Sequence, residues 1–165
     1  PALSMKEITM RVKGVSPDGK KAVEFESELI GREFIDRMVN FDLSEDDIRK
    51  RIDRLAVSAD VKSLLYSLAK ASIAIGAQVV RIGRKVIDYV CMLVKEFPKV
   101  TFFALLGAIA GFLVATIPIL GVVLGPIVTP IAIAVGAAFG VLEDIRDQAL
   151  KRKITEFHAQ FAPLA

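Results

Sequence analysis

Between Lys99 and Glu143 the chain carries no ionisable side chain. An uncharged tract from residue 100 to residue 142 limits the possible folds more than any other feature. It is long enough for two membrane spans of ~20 residues each. The rest of the 165 residues is as charged as an ordinary domain, so the overall mean hydropathy of +0.51 averages two unlike parts.

The tract is interrupted midway, at Thr116–Pro130, "TIPILGVVLGPIVTP". Inside a bilayer every backbone polar group needs an internal partner. Pro118, Gly121, Gly125, Pro126 and Pro130 work against an unbroken ladder, so this stretch reads as the tip of a hairpin reaching the far headgroups. The alternative is a loop buried between copies of the chain. The first arm is predicted as a helix from about Val100 to Ile117, ~27 Å long at 1.5 Å per residue. A second helix is expected to start at Thr129 and Pro130, a good N-cap and N1 pair. It should run on into an amphipathic tail carrying Ile145, Leu150, Ile154, Phe157 and Phe161.

Small residues recur four apart in both arms: Gly107, Gly111 and Ala115 in the first, Ala132, Gly136 and Gly140 in the second. Residues at that spacing share a helix face and let backbones approach closely. They predict packing of arm on arm, and of subunit on subunit. Gly121 and Gly125 make a third such pair within the interruption.

Ahead of the tract, "EITMRVKGV" and "AVEFESEL" alternate about the turn "SPDGKK", which predicts a β-hairpin with Ile8, Met10 and Val12 on one face. Two strands alone are marginal, so the hairpin must pack on a helix or pair with another subunit. A short helix follows. Ser44, with Glu45, Asp46 and Asp47 after it, caps another bearing Ile48, Ile52 and Leu55 on one stripe. Arg49, Lys50 and Arg51 lie around the rest of that cylinder and read as solvated. From Ser58 to Phe97 the pattern predicts one long amphipathic helix. Lys70, Arg81, Arg84 and Lys85 share its polar side and would meet headgroups or an aqueous lumen.

The fold class is therefore mainly α: a membrane-type helical hairpin of two apolar arms, preceded by amphipathic helices and a small N-terminal β-hairpin. The segments are 1–57, a soluble assembly module; 58–98, the long basic helix; 99–142, the apolar hairpin; and 143–165, an amphipathic tail. The order of arm, tip and arm behind amphipathic helices resembles the hydrophobic hairpin of colicin-type pore-forming domains. The likeness is one of layout over the apolar tract, and no residue is carried over from it.

Chemistry is sparse. One histidine, His158, and one cysteine, Cys91, cannot assemble a zinc site or a Cys–His pair. His158 reads as a surface residue. Neither GxxxxGK[ST] nor GxGxxG is present. Asp46 and Asp47 are explained by capping, and basic residues interleaved with aromatics, as nucleic acid would require, are missing. No catalytic, cofactor or metal residue is expected.

The lysines and arginines flanking the tract, Lys95 and Lys99 before it and Arg146, Lys151, Arg152 and Lys153 after it, put both termini on the cytoplasmic side of a membrane. The N-terminus has no apolar h-region, so no cleavable secretory signal is expected, and a start at Pro1 fits removal of an initiator Met. The expected function is a non-enzymatic, membrane-inserting hairpin that self-assembles into a pore, conduit or scaffold. Its partners would be a lipid membrane, further copies of the chain, and possible other subunits. The alternative is a structural subunit of a virion, tail or secretion machine, with the hairpin buried between copies. Phe102, Phe103 and Phe112 would face lipid or a neighbour.

Overall fold

Strands β1 (Met10–Val15) and β2 (Ala22–Ser27) pair antiparallel in the register Met10↔Ser27 to Val15↔Ala22. Gly19, at φ +74°, takes the turn position that residues with a side chain rarely adopt. The computed structural model describes residues 9–165, so the strand position expected for Ile8, and the chain start at Pro1, lie outside the described residues.

The predicted hairpin does not stay two-stranded. Strands β3 (Ile73–Ile75) and β4 (Gln78–Val80) join it to give a sheet of order β2-β1-β3-β4. The second hairpin falls where one long helix was expected. That helix is two: α3 (Ala59–Lys70) and α4 (Ile82–Glu96). The physical reason is local. Ile73 and Ile75 alternate with Ala74 and are buried, and Gly76 holds φ +59° at the first corner of a two-residue turn. No non-glycine among the described residues has positive φ, so the turn is of type II′, which wants glycine there.

Before these elements come α1 (Arg32–Val39) and α2 (Glu45–Asp53). Ser44 caps α2 as expected, its hydroxyl accepting the Asp47 N–H at 3.1 Å. Ile48 and Ile52 are buried, and the face bearing Arg49 and Lys50 is exposed.

The uncharged tract forms α5 (Phe102–Thr116) and α6 (Pro118–Val135). Thr101 caps α5, accepting the Ala104 N–H at 3.1 Å. A helical hairpin is present, but its corner is Ile117 alone, in extended conformation. Of the residues read as a tip, only Pro118 stands at the reversal. Gly121, Gly125, Pro126 and Pro130 lie inside α6, and no helix begins at Thr129. Each internal proline removes one rung, freeing the carbonyls of Val122 and Pro126. Val122, Pro126 and Pro130 share one face through their four-residue spacing, and that face is open or half-open. The freed carbonyls therefore cost less than they would in the core.

α6 ends at Gly136, φ +59°, and two single 3₁₀ turns (Gly136–Ala138 and Leu142–Asp144) lead to α7 (Gln148–Ala159). The second arm and the tail are thus not one helix. Asp147 starts the new one by accepting the N–H groups of Ala149 and Leu150. The expected stripe holds: Leu150, Ile154, Phe157 and Phe161 are buried.

Buried residues from all four segments form a single core. α5 lies between α4, α6 and α7, while α6 packs on α3, on α5 and on one face of β1 and β2. Gly14 of β1 lets Ile119 and Val123 of α6 press against the strand.

The small residues act within the chain. A Cβ on Gly107 would overlap the Gly140 carbonyl, and one on Gly140 would crowd the Ala104 backbone. Gly111 meets nothing within 4 Å, and Gly136 serves the reversal after α6. Two matched helical grooves are not formed, since Gly136 and Gly140 lie beyond α6. Gly107→Ala should lower stability in urea by ~2 kcal/mol or more through overpacking. Gly111→Ala should raise it by about 1 kcal/mol through helix propensity. Equal effects of the two would show that the Gly107–Gly140 contact is not made.

Candidate functional site

Three places combine unusual chemistry with access: the outer face of α6, the polar clamp on α4, and an apolar groove beside the sheet.

The outer face of α6 has no polar side to turn to solvent. Pro118, Pro126, Thr129, Ile133 and Ala134 are exposed, as is Ala115 at the end of α5, and exposed uncharged residues continue beyond the helix to Val141. Ile133 is 78 % exposed and Val141 51 %. Ala132 is half-buried beside them. The stretch Pro118–Asp144 is long and apolar enough to cross a membrane by length and composition, and 44 % of its most apolar 18-residue window is buried in the fold. α5 is shorter and mostly buried. Its Phe103 is in the core, Phe102 is half-buried and Phe112 stacks on His158 at 3.8 Å.

The basic residues of the expected long helix divide by what lies next to them. Arg84 and Lys85 do not face open solvent. The Arg84 guanidinium stacks over the Phe41 ring at 4.1 Å and donates to the Leu43 carbonyl. Lys85 Nζ donates to the Asn40 carbonyl at 2.7 Å. Asp88, which is buried, accepts the N–H groups of Asp42 and Leu43 at 3.1 and 2.8 Å. Together they clamp residues 40–43, the connection between α1 and α2, onto α4. Burial pulls the Lys85 ammonium below the usual lysine range, against the opposing pull of Asp88 and Asp42. Arg81 is exposed and pairs with Glu45 at 3.6 Å. Lys70 is exposed at the end of α3. In the "KRK" run, Lys153 pairs with Glu96 at 2.6 Å, tying α7 to α4.

His158 is part of the same fastening. Its Nε2 lies 2.7 Å from the Thr116 hydroxyl, which itself donates to the Phe112 carbonyl. The expected surface histidine therefore latches α7 to the end of α5. Tyr89 adds a second link, stacking on Phe157 at 4.0 Å and donating to the Lys153 carbonyl. Burial pushes the Tyr89 phenol up to about 12 and the Cys91 thiol up to about 11, so both stay protonated at neutral pH. A cluster of three or more His, Cys, Asp or Glu able to hold a metal ion is not found among the described residues.

Two grooves flank α3. One, of about 530 Å³, is lined without any charged residue by the loop before α3 and by Phe102, Phe103, Ala134 and Val135. The other, of about 520 Å³, opens beside β1 and β3 and includes Lys13 and Lys70. Sequence reading missed both, since each is built from segments far apart in the chain. No protein-family model, curated protein or solved structure matches this chain.

The clamp and the latch each give a measurable expectation. Asp88→Ala leaves two N–H groups unpaired and should cost about 3 kcal/mol in urea unfolding. It should leave vesicle binding of the folded fraction unchanged, because the clamp is structural. For His158, burial lowers the folded-state pKa from 6.5, so the fold favours the neutral ring. Its contribution is present above that value and is lost as pH falls through it towards the lower folded value. The urea midpoint should fall as the pH is lowered below 6.5, and His158→Gln should flatten that slope. A His158→Gln profile parallel to the parent would remove the latch from the account.

Proposed function

We propose that the chain is a non-enzymatic membrane-associating protein whose α5–α6 hairpin is the inserting element, and that it self-assembles at the membrane into a pore, conduit or scaffold. The observation that carries this reading is the exposed, uncharged outer face of α6, continuous to Val141. Exposed apolar surface that is contiguous, rather than scattered, marks contact with a membrane or a partner. The fold supports the reading in a second way. α5 is apolar on every side and is held by α4 and α7, whose grip includes single side-chain fastenings at His158 and Lys153. An arm stored in this manner can be released without breaking covalent structure. Both ends of the hairpin would stay on one side, which the flanking Lys99 and Arg146 make the cytoplasmic one.

A second reading is a structural subunit of a larger particle, with the same α6 face covered by neighbouring copies. It is favoured by the sheet, whose outer strands β2 and β4 leave edges open to further pairing.

Ile133→Glu tests the first reading without disturbing the core, since Ile133 faces solvent. Removing one inserted isoleucine forfeits about 1.5–3 kcal/mol, roughly a ten- to hundredfold loss in partitioning. Flotation with phosphatidylcholine–phosphatidylglycerol vesicles should fall by that factor while the urea midpoint stays put. Equal flotation of parent and variant would reject the membrane-facing role of α6. Absence of flotation together with a large detergent-free particle in light scattering would favour the second reading.

A further inference from the structure

The groove of about 520 Å³ owes its existence to a short pairing. β1 and β3 pair through Val12↔Ile75 and Lys13↔Ala74, with the Gly76 N–H donating to the Arg11 carbonyl beside them. Beyond Lys13, β1 continues to Val15 while the chain of β3 turns away towards the end of α3. The gap between them is lined by Val15, Val79 and the nearly covered Val123 and Ile127 of α6, with Lys13 and Lys70 among its polar residues. Val79, on the outer strand β4, is 60 % exposed and available to a ligand.

The charge is one-sided. No acidic residue lines the groove. Neither Lys13 nor Lys70 forms an ion pair among the described residues. Glu24, which stands opposite Lys13 across the strands, gives its carboxylate to Arg11 at 3.3 Å instead. An apolar trough carrying two uncompensated ammonium groups is complementary to one molecular class, a chain of methylenes ending in an anion. The volume lies within the ~300–1,000 Å³ of small-ligand pockets.

We propose that this groove binds a single-chain carboxylate amphiphile, a long-chain fatty acid, with its carboxylate at Lys13 and Lys70 and its chain over Val79, Val123 and Ile127. The site is separate from the outer face of α6 and does not rest on the membrane reading. The acid is held by two charge-assisted contacts, which are stronger than neutral ones and select against an uncharged head.

The test uses cis-parinaric acid, whose fluorescence rises on entering an apolar site. The chain has no tryptophan, which keeps the background low. Titration below the micellar range should saturate at one equivalent and be reversed by palmitate. Lys13→Ala with Lys70→Ala should weaken the acid at least tenfold and leave the methyl ester of the probe unchanged. Val79→Asp should weaken both, and because Val79 is exposed this variant should fold as the parent does. Ile133→Glu should leave the titration unaltered. The proposal is overturned by any of three results: no saturable binding of the acid, an equal loss of acid and ester in the lysine variant, or loss of binding in Ile133→Glu, which would place the probe on α6 instead.

Discussion

α6 is apolar all the way round, and a helix of that kind is stable in water only where other elements cover it. The rest of the fold is arranged around this requirement. Helix α3 covers one side, α5 another, and β1 with β2 a third. One side is left over. The prolines sit on that side, where a missing rung costs least, and the most exposed large apolar residue of the described chain, Ile133, sits there too. A core helix of an ordinary domain would carry lysine or glutamate at Pro126, Thr129 and Ile133. Thr129 and Ile133 are exposed, and only the β1–β2 turn, at Ser16, Asp18 and Lys21, comes near Pro126 among the described residues.

The two apolar helices are held differently, and the difference bears on how a hairpin could leave the fold. α5 is the more deeply buried, yet much of its cover comes from α4 and α7, amphipathic helices that would remain soluble if they moved aside. α7 is joined to the chain through a long connection with two single 3₁₀ turns, and its attachment to α4 and α5 is concentrated at Phe157, Phe161, Lys153 and His158. α6 is tied to the sheet through Gly14, Ile119 and Val123. Moving α7 would therefore uncover part of α5 without disturbing the sheet.

The parts legible in the sequence were those where a residue's role is settled by its near neighbours. Ser44 is followed by three acids and then a helix, so its cap could be read from three or four residues. The β1–β2 hairpin follows from alternation and from Asp18-Gly19. The second hairpin was hidden because Ile75, Val79, Ile82 and Val86 recur at helical spacing as well as in strands. Only Gly76, needing positive φ, separates the two readings, and glycine inside an apolar run is easily taken for a packing residue. The prolines misled in the opposite direction. Pro126 and Pro130 are costly in a helix taken alone, but the cost depends on whether the freed carbonyl is buried, and the sequence does not state which face of α6 is open.

The same limit explains why the functional residues were harder to place than the elements. Arg84 and Lys85 lie on the polar side of an amphipathic helix, as expected, and a cation there will take any oxygen in reach. Water, a phosphate or a backbone carbonyl satisfies it alike. What decides among them is the position of residues 40–43, more than forty residues earlier in the chain, and Asp88 is the device that fixes that position. Lys13 and Lys70 present the reverse case. Nothing near them in sequence marks them as a pair, and they come together because β1 and β3 part company after a two-residue ladder. Periodicity reports the side of a helix or strand on which a charge stands. It carries no information about which distant backbone will stand opposite. Here that missing information separates two cations that bond the backbone carbonyls of residues 40–43 from two that form no ion pair among the described residues.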